Sequence, residues 1–361
     1  MVRVQRASSL PSRRRTAATR SASVLAMEAR SVDSIPKDGA WQYEPKWDGF
    51  RCLLSRKGAE VDLRSKSGET LARYFPELVE AALKLKKASF LLDGEIVVPR
   101  VKSFSFDDLL QRIHPAASRV KKLSQETPAL YLAFDLLAEA RDDLATQPLT
   151  RRRSRLEAFA KANFADSPIF RLSPATDSYA VARKWLAQSG RGFDGVIAKR
   201  MDLPYQSGNR DGMQKIKKFR SADCVIGGFR YASNKIKGRK VVGSLLLGLY
   251  DDHKLLHHVG FTSAIRQDEK PVLTERLEAL IANPGFTGNA PGGPSRWSTE
   301  RSAQWCPVKP KLVIEVCYDH FSGDRFRHGT SILRWRPDKA PRQCTFDQLK
   351  QKTADPIKLL S

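Results

Sequence analysis

Glu44-Pro45-Lys46-Trp47-Asp48-Gly49-Phe50-Arg51 is the stretch on which the reading of this chain turns. A lysine stands between an acid and an Asp-Gly turn signal, and an arginine follows five positions later. To act as a nucleophile a lysine must be neutral, whereas an unperturbed amine is almost wholly protonated near pH 7. Neighbouring cations disfavour a second positive charge, so Arg51, Lys215, Lys217 and a bound metal are expected to help Lys46 lose its proton. Taken alone, such a stretch is only a solvated lysine on a surface turn. Its surroundings decide.

From Ser34 to about Arg220, strand-like runs alternate with amphipathic helical stretches, which predicts a mixed α and β domain. Leu91–Val98 and Leu130–Leu137 read as strands. Phe75, Leu78, Val79, Ala82 and Leu83 recur at helical spacing and predict a core-facing stripe. Asp177 and Gly190 read as the cap and stop of a helix carrying Val181, Trp185 and Leu186. After Lys215, Lys217 and Lys218 the pattern changes to short strands over 224–231, 244–250, 254–261 and 312–318, which predicts a small β-barrel. Asp251, Asp252 and His253 supply a turn between two of them. Pro284–Pro294, rich in Gly and Pro, reads as a surface loop.

A chain of 361 residues suits two domains of ordinary size. No apolar run approaches the roughly 18 to 20 residues of a membrane span. Lys and Arg total 63 against 39 Asp and Glu, and a net charge of +24 points to a polyanionic partner, nucleic acid first. Five scattered cysteines without a C-x-x-C pair favour neither a zinc site nor a disulfide framework and suit a reducing cytoplasm. Residues 1–26 carry six arginines (Arg3, Arg6, Arg13, Arg14, Arg15, Arg20) and no acid, and 1–30 is read as a basic disordered arm. Its bias also matches a transit peptide, and Met27 offers an alternative start.

Lys46-Trp47-Asp48-Gly49 with Arg51 resembles motif I of the covalent nucleotidyltransferases, the superfamily of ATP-dependent ligases and capping enzymes. Further segments resemble that family's motifs in its order: Ser65-Lys66-Ser67-Gly68, Leu92-Asp93-Gly94-Glu95, Phe134-Asp135-Leu136-Leu137, Asp194-Gly195-Val196-Ile197-Ala198-Lys199, Lys215-Ile216-Lys217, and near the end Arg336-Pro337-Asp338-Lys339. The resemblance implies an α+β fold: an adenylation domain of antiparallel sheets flanked by helices over 31–221, then an OB-fold barrel over 222–361. It implies that Lys46 attacks the α-phosphorus of ATP, with Glu44, Arg51, Lys66, Glu95, Phe134, Lys199, Lys215, Lys217, Arg336 and Lys339 about the nucleotide. Phe134 would stack on adenine, and Asp194 and Glu95 would hold Mg²⁺ or Mn²⁺.

Two positions depart from the commoner pattern, Lys66 for arginine and Asp194 for glutamate. Both look like those of small bacterial ligases associated with double-strand-break repair, as do Phe326-Arg327-His328-Gly329 and the segment after Arg334. Lys235, Lys237, Arg239 and Lys240 form a hairpin-like basic segment suited to DNA phosphates. The implied activity is an ATP-dependent DNA ligase acting as a monomer on nicked or broken duplexes, in a bacterial cytoplasm at the nucleoid. A Ku-type end-binding protein and a repair polymerase are its implied partners. An RNA ligase, a GTP-dependent capping-type enzyme and a non-catalytic nucleic-acid-binding module remain open at this point.

Overall fold

The computed structural model describes residues 24–190, 192–292, 304–350 and 355–360. The chain divides into two compact units. One comprises Met1–Leu186, Arg191–Ile216 and Asp355–Ser361; the other comprises Ala187–Gly190 and Lys217–Ala354. Lys217 thus falls in the second unit, ahead of the expected boundary at 222, and the C-terminal 355–360 return to the first.

The first unit is built mainly of β1 (Arg30–Ser31), β2 (Trp41–Trp47), β3 (Phe50–Lys57), β4 (Glu60–Ser65), α1 (Pro76–Lys84), β5 (Ser89–Val97), β6 (Leu130–Glu139), α2 (Leu149–Asn163), β7 (Phe170–Leu172), α3 (Tyr179–Gln188), β8 (Phe193–Arg200) and β9 (Met213–Lys217), with two further helices, Phe106–Arg112 and Ala117–Glu126, and short strand pairs between them. One sheet has the order β1-β9-β8-β2 and the other β7-β6-β5-β3-β4. The expectation of antiparallel sheets holds except at two edges, where β1 runs parallel to β9 and β7 to β6. Both partners come from distant parts of the chain, which is what a parallel pair requires. Leu78 and Ala82 of α1 are fully buried beside Phe75, Leu92, Ile96 and Tyr131. Leu83, expected in that stripe, is 38% exposed, at the edge of the helix's apolar face. The cap of α3 is Ser178, whose Oγ accepts from the Val181 amide at 3.4 Å. Asp177 lies one residue too early for that role.

The disordered arm is corrected at its end. Ala26 and Met27 are buried against Leu53, Leu91, Leu137 and Met213. The Met27 amide donates to the Tyr205 hydroxyl at 2.8 Å, the Glu28 amide to the Asn209 carbonyl at 2.8 Å, and β1 adds an edge to the first sheet. The arginines upstream masked a short apolar run, Val24-Leu25-Ala26-Met27, that has a surface to cover. Residues 1–23 lie outside the described residues.

In the second unit β10 (Arg220–Ile236), β11 (Arg239–Tyr250), β12 (Leu256–Thr262), α4 (Lys270–Glu278), β13 (Val313–Tyr318) and β14 (Ser331–Trp335) build a sheet of order β12-β11-β10-β13-β14. Thr262, the last residue of β12, bridges to Thr330, just before β14, and its Oγ1 donates to the Thr330 carbonyl at 2.7 Å. That contact curls the two outer strands toward each other into a five-stranded barrel of OB type. Phe229, Leu245, Leu247, Val259, Ile314 and Val316 fill it. The Gly- and Pro-rich 284–294 segment is irregular where described, but it is more than a surface loop. Phe286 is 3% exposed and closes the barrel core beside Trp305 and His258. Space for the ring comes from Gly227, where a Cβ would sit 2.5 Å from it.

Candidate active site

Lys46 sits on β2, paired antiparallel with β8. Phe193 pairs with Trp47 and Val196 with Pro45, so Asp194 and Gly195 together stand opposite Lys46 alone, a β-bulge. The bulge has a consequence for direction. Strand alternation sends residues of opposite parity, such as 194 and 199, to opposite faces, and one extra residue reverses the phase between them. A carboxylate oxygen of Asp194 accordingly lies 2.7 Å from Lys46 Nζ, while Lys199 Nζ lies 2.8 Å from Glu44 on the same face of β2 as Lys46. Gln42, two residues before Glu44, also donates to its carboxylate at 2.7 Å.

β3 and β5 supply the opposite wall. Arg51 stands across from Glu95, and its guanidinium donates to both oxygens of the fully buried Asp93, which also accepts from the Tyr205 hydroxyl at 2.6 Å. Two glycines allow this close approach. A Cβ on Gly94 would lie 2.5 Å from the Tyr131 ring, and one on Gly49 would collide with the Ile96 carbonyl. Burial pushes the Glu95 carboxyl up to about 8, against the pull of Arg51 and Lys46 and with a further push from Asp48 and Asp93. On β6, Phe134 is 7% exposed, with the Arg51 guanidinium 4.7 Å and Lys199 Nζ 4.4 Å from its ring centre. The cationic neighbourhood expected to act on Lys46 is therefore altered. Its close partner is a carboxylate, and Arg51 is engaged by Asp93.

Together these strands frame a cavity of about 570 Å³, lined among others by Glu44, Lys46, Arg51, Lys66, Glu95, Phe134, Lys199 and Lys215. Met27, Glu28 and Arg210 line it too, and none of the three belongs to a motif that the sequence makes visible. Lys217, Arg336 and Lys339 belong to the second unit. There Lys217 pairs with Asp319 at 3.2 Å, and Arg336 and Lys339 converge on Asp223 at 2.9 and 2.6 Å. Gln348 holds Asp223 by its backbone on both sides. The β10–β11 hairpin turns at Lys237-Gly238, with φ of +47° and +77°, and Lys235 faces Lys240 across it. Lys235, Lys237, Arg239 and Lys240 are all exposed.

A strand-borne lysine in a deep cationic cavity, followed by an OB-type barrel, is the architecture of the nucleotidyltransferases. A family model for the ATP dependent DNA ligase domain matches residues 23–217, and one for the ATP dependent DNA ligase C terminal region matches 238–339. DNA ligase C2 of Mycolicibacterium smegmatis is 44% identical over 343 residues, covering 90% of this chain and 94% of that protein. The multifunctional non-homologous end joining protein LigD of Mycobacterium bovis is 31% identical over 84% of this chain and 37% of its own length. A solved chain from a structure-function analysis of Lig E DNA ligases, 16% identical, superposes with a TM-score of 0.51 over 86% of this chain and 99% of its own, and shows the fold alone. The chain belongs to the ATP-dependent DNA ligase family. Among the described residues, no helix is long and apolar enough to cross a membrane.

Proposed function

We propose that the chain seals 5′-phosphate/3′-hydroxyl breaks in duplex DNA through a lysyl-AMP at Lys46 and a DNA-adenylate. The observation that carries this is Lys46 inside a cavity of about 570 Å³ with Asp194 at 2.7 Å, since a pocket of this size accommodates a nucleotide. Lys46 Nζ forms its bond to the α-phosphorus as the bond to pyrophosphate breaks, and pyrophosphate leaves with the electron pair. The ammonium proton has an acceptor in Asp194. AMP then passes to the DNA 5′-phosphate, and the 3′-hydroxyl displaces it.

Lys199 and Lys215 supply positive charge to the phosphates, and Phe134 offers its face to adenine. Arg336 and Lys339 are assigned to the leaving pyrophosphate, as the motif resemblance implies. The exposed cations of the hairpin at 235–240 are assigned to DNA phosphates, without base reading.

The donor chemistry fits Mg²⁺ or Mn²⁺. Among the described residues no cluster of three metal-ligating side chains exists, and such ions take one or two carboxylates and fill their shell with water and phosphate oxygens. Asp194 and Glu95 would hold the ion, which when bound neutralises charge developing on the phosphates. The setting we infer is repair of breaks in the cytoplasm, at the nucleoid, as a monomer, with a Ku-type end-binding protein and a repair polymerase as partners. The likeness to an end-joining protein supports that setting. Radiolabelled ATP with Mg²⁺ should give an acid-stable protein adduct that Lys46→Ala abolishes. Full labelling of that variant would overturn the assignment.

A further inference from the structure

At the rim of the cavity three separate segments meet in one ion-pair cluster. Glu28 comes from the segment before β1, Lys66 from the turn after β4, and Arg210 from the loop before β9. The Glu28 carboxylate lies 3.0 Å from Lys66 Nζ and accepts from Arg210 Nε at 2.9 Å. All three side chains line the cavity, and both cations are more than half exposed. The carboxylate is held in place from behind by the Glu28 amide bonded to Asn209 and by the buried Met27 beside it. Arg210 and Lys66 hold the Glu28 carboxyl below the usual carboxylate range.

Two cations converging on one carboxylate at the mouth of an anion-binding cavity form a place where a phosphate group would make the same contacts. We propose that Glu28 is an internal counter-anion for this phosphate-binding pair: it occupies Lys66 and Arg210 until a phosphate displaces it. The inference rests on the proposed function, which brings phosphate groups to this cavity. Its purpose is exchange. An exposed pair is weak, so the incoming group can win, yet the carboxylate returns when the group departs and speeds its release. The phosphate could be that of the nucleotide or the 5′-phosphate of DNA, and the two are separable.

Glu28→Gln keeps the shape and removes the charge, and Glu28→Ala guards against a misfolded variant, with thermal midpoints checking both. One arm measures the Kd of α,β-methylene-ATP, which cannot adenylate the protein. The other measures the KM of adenylated protein for a nicked duplex carrying a 5′-phosphate. The expected result is a fall of about twofold to thirtyfold in at least one of these constants, the range two exposed ion pairs span, with the rate at saturation unchanged. A fall in the first arm identifies the nucleotide phosphate, in the second the DNA end, and in both a site used by each in turn. The gain in affinity should shrink in a Lys66→Met background and vanish when Arg210→Met is added. No change, a weaker affinity in both arms, or a gain that persists without both Lys66 and Arg210 overturns the proposal. Failure of the lysyl-AMP reading would show elsewhere, as label retained by Lys46→Ala, because the analogue arm requires no adenylation.

Discussion

The cavity of the first unit and the hairpin of the second are both rich in cations, and they hold them in opposite ways. In the cavity, Lys46, Arg51, Lys66, Lys199 and Arg210 each face a named carboxylate: Asp194, Asp93, Glu28, Glu44 and Glu28 again. On the hairpin, among the described residues, none of Lys235, Lys237, Arg239 and Lys240 has an ion-pair partner, and Lys240 only stands 5.6 Å from the Tyr231 ring. A paired cation is fixed in direction and can act on one atom; an unpaired one contributes to a field. The difference is the one expected if the cavity performs the proposed reaction and the hairpin holds the proposed polymer.

The sharpest test of that contrast is Asp194. Asp194→Ala should lower single-turnover AMP uptake by about 10² to 10³, the cost of losing one preorganised charged group, while Asp194→Glu keeps much of it. Normal uptake by Asp194→Ala would mean that the pairing is incidental. Replacing all four hairpin cations by Gln should act otherwise, flattening the salt dependence of DNA binding by up to about 0.9 in log–log slope for each DNA phosphate that is no longer neutralised. AMP uptake should not change. Were it to fall in parallel, the two regions would not divide the work as described.

The smallest effect concerns Glu95, whose carboxyl burial pushes up to about 8. In the unfolded chain a glutamate titrates near about 4.3. Between those values the folded protein binds the proton and the unfolded chain does not, so the contribution of Glu95 to stability is full below the lower value and lost as pH rises toward about 8. Without divalent metal, stability should therefore fall with pH more steeply than in Glu95→Gln, by at most about 1.4 kcal/mol per pH unit. Parallel denaturant-midpoint curves for the two proteins would contradict the shift.

Much of this was legible in the sequence because it lies in short runs. The β5 and β6 strands, the stripe of α1 and the change from mixed to all-β pattern near Lys217 each announce themselves within ten residues or so. That Lys46, Glu95, Phe134 and Lys199 share one cavity was legible only through motif order, since each residue alone is an ordinary strand position. Glu28 and Met27 were hidden by composition, as the arginines before them suggested an unstructured arm. Asp93 stands inside a visible motif, but its partnership with Arg51 depends on cross-strand register, which no short run reveals. Phe286 was hidden because Gly and Pro around it signal a loop correctly and say nothing about where its one aromatic ring goes.

The bulge opposite Lys46 has a further consequence for how this gene can change. Strand β8 could exchange Val196 or Ala198 for a similar residue and keep its frame, because β2 reads it by position. Deleting the single codon for Gly195 would remove the extra residue, leave Asp194 and Lys199 four positions apart and restore plain alternation, so both would still face the same way. β2 has no spare residue: deleting the Pro45 codon would make Glu44 and Lys46 neighbours and turn one of them away from the cavity. Strand β8 should thus absorb the loss of one residue at its bulge where β2 cannot, a difference that a library of one-codon deletion variants would display directly.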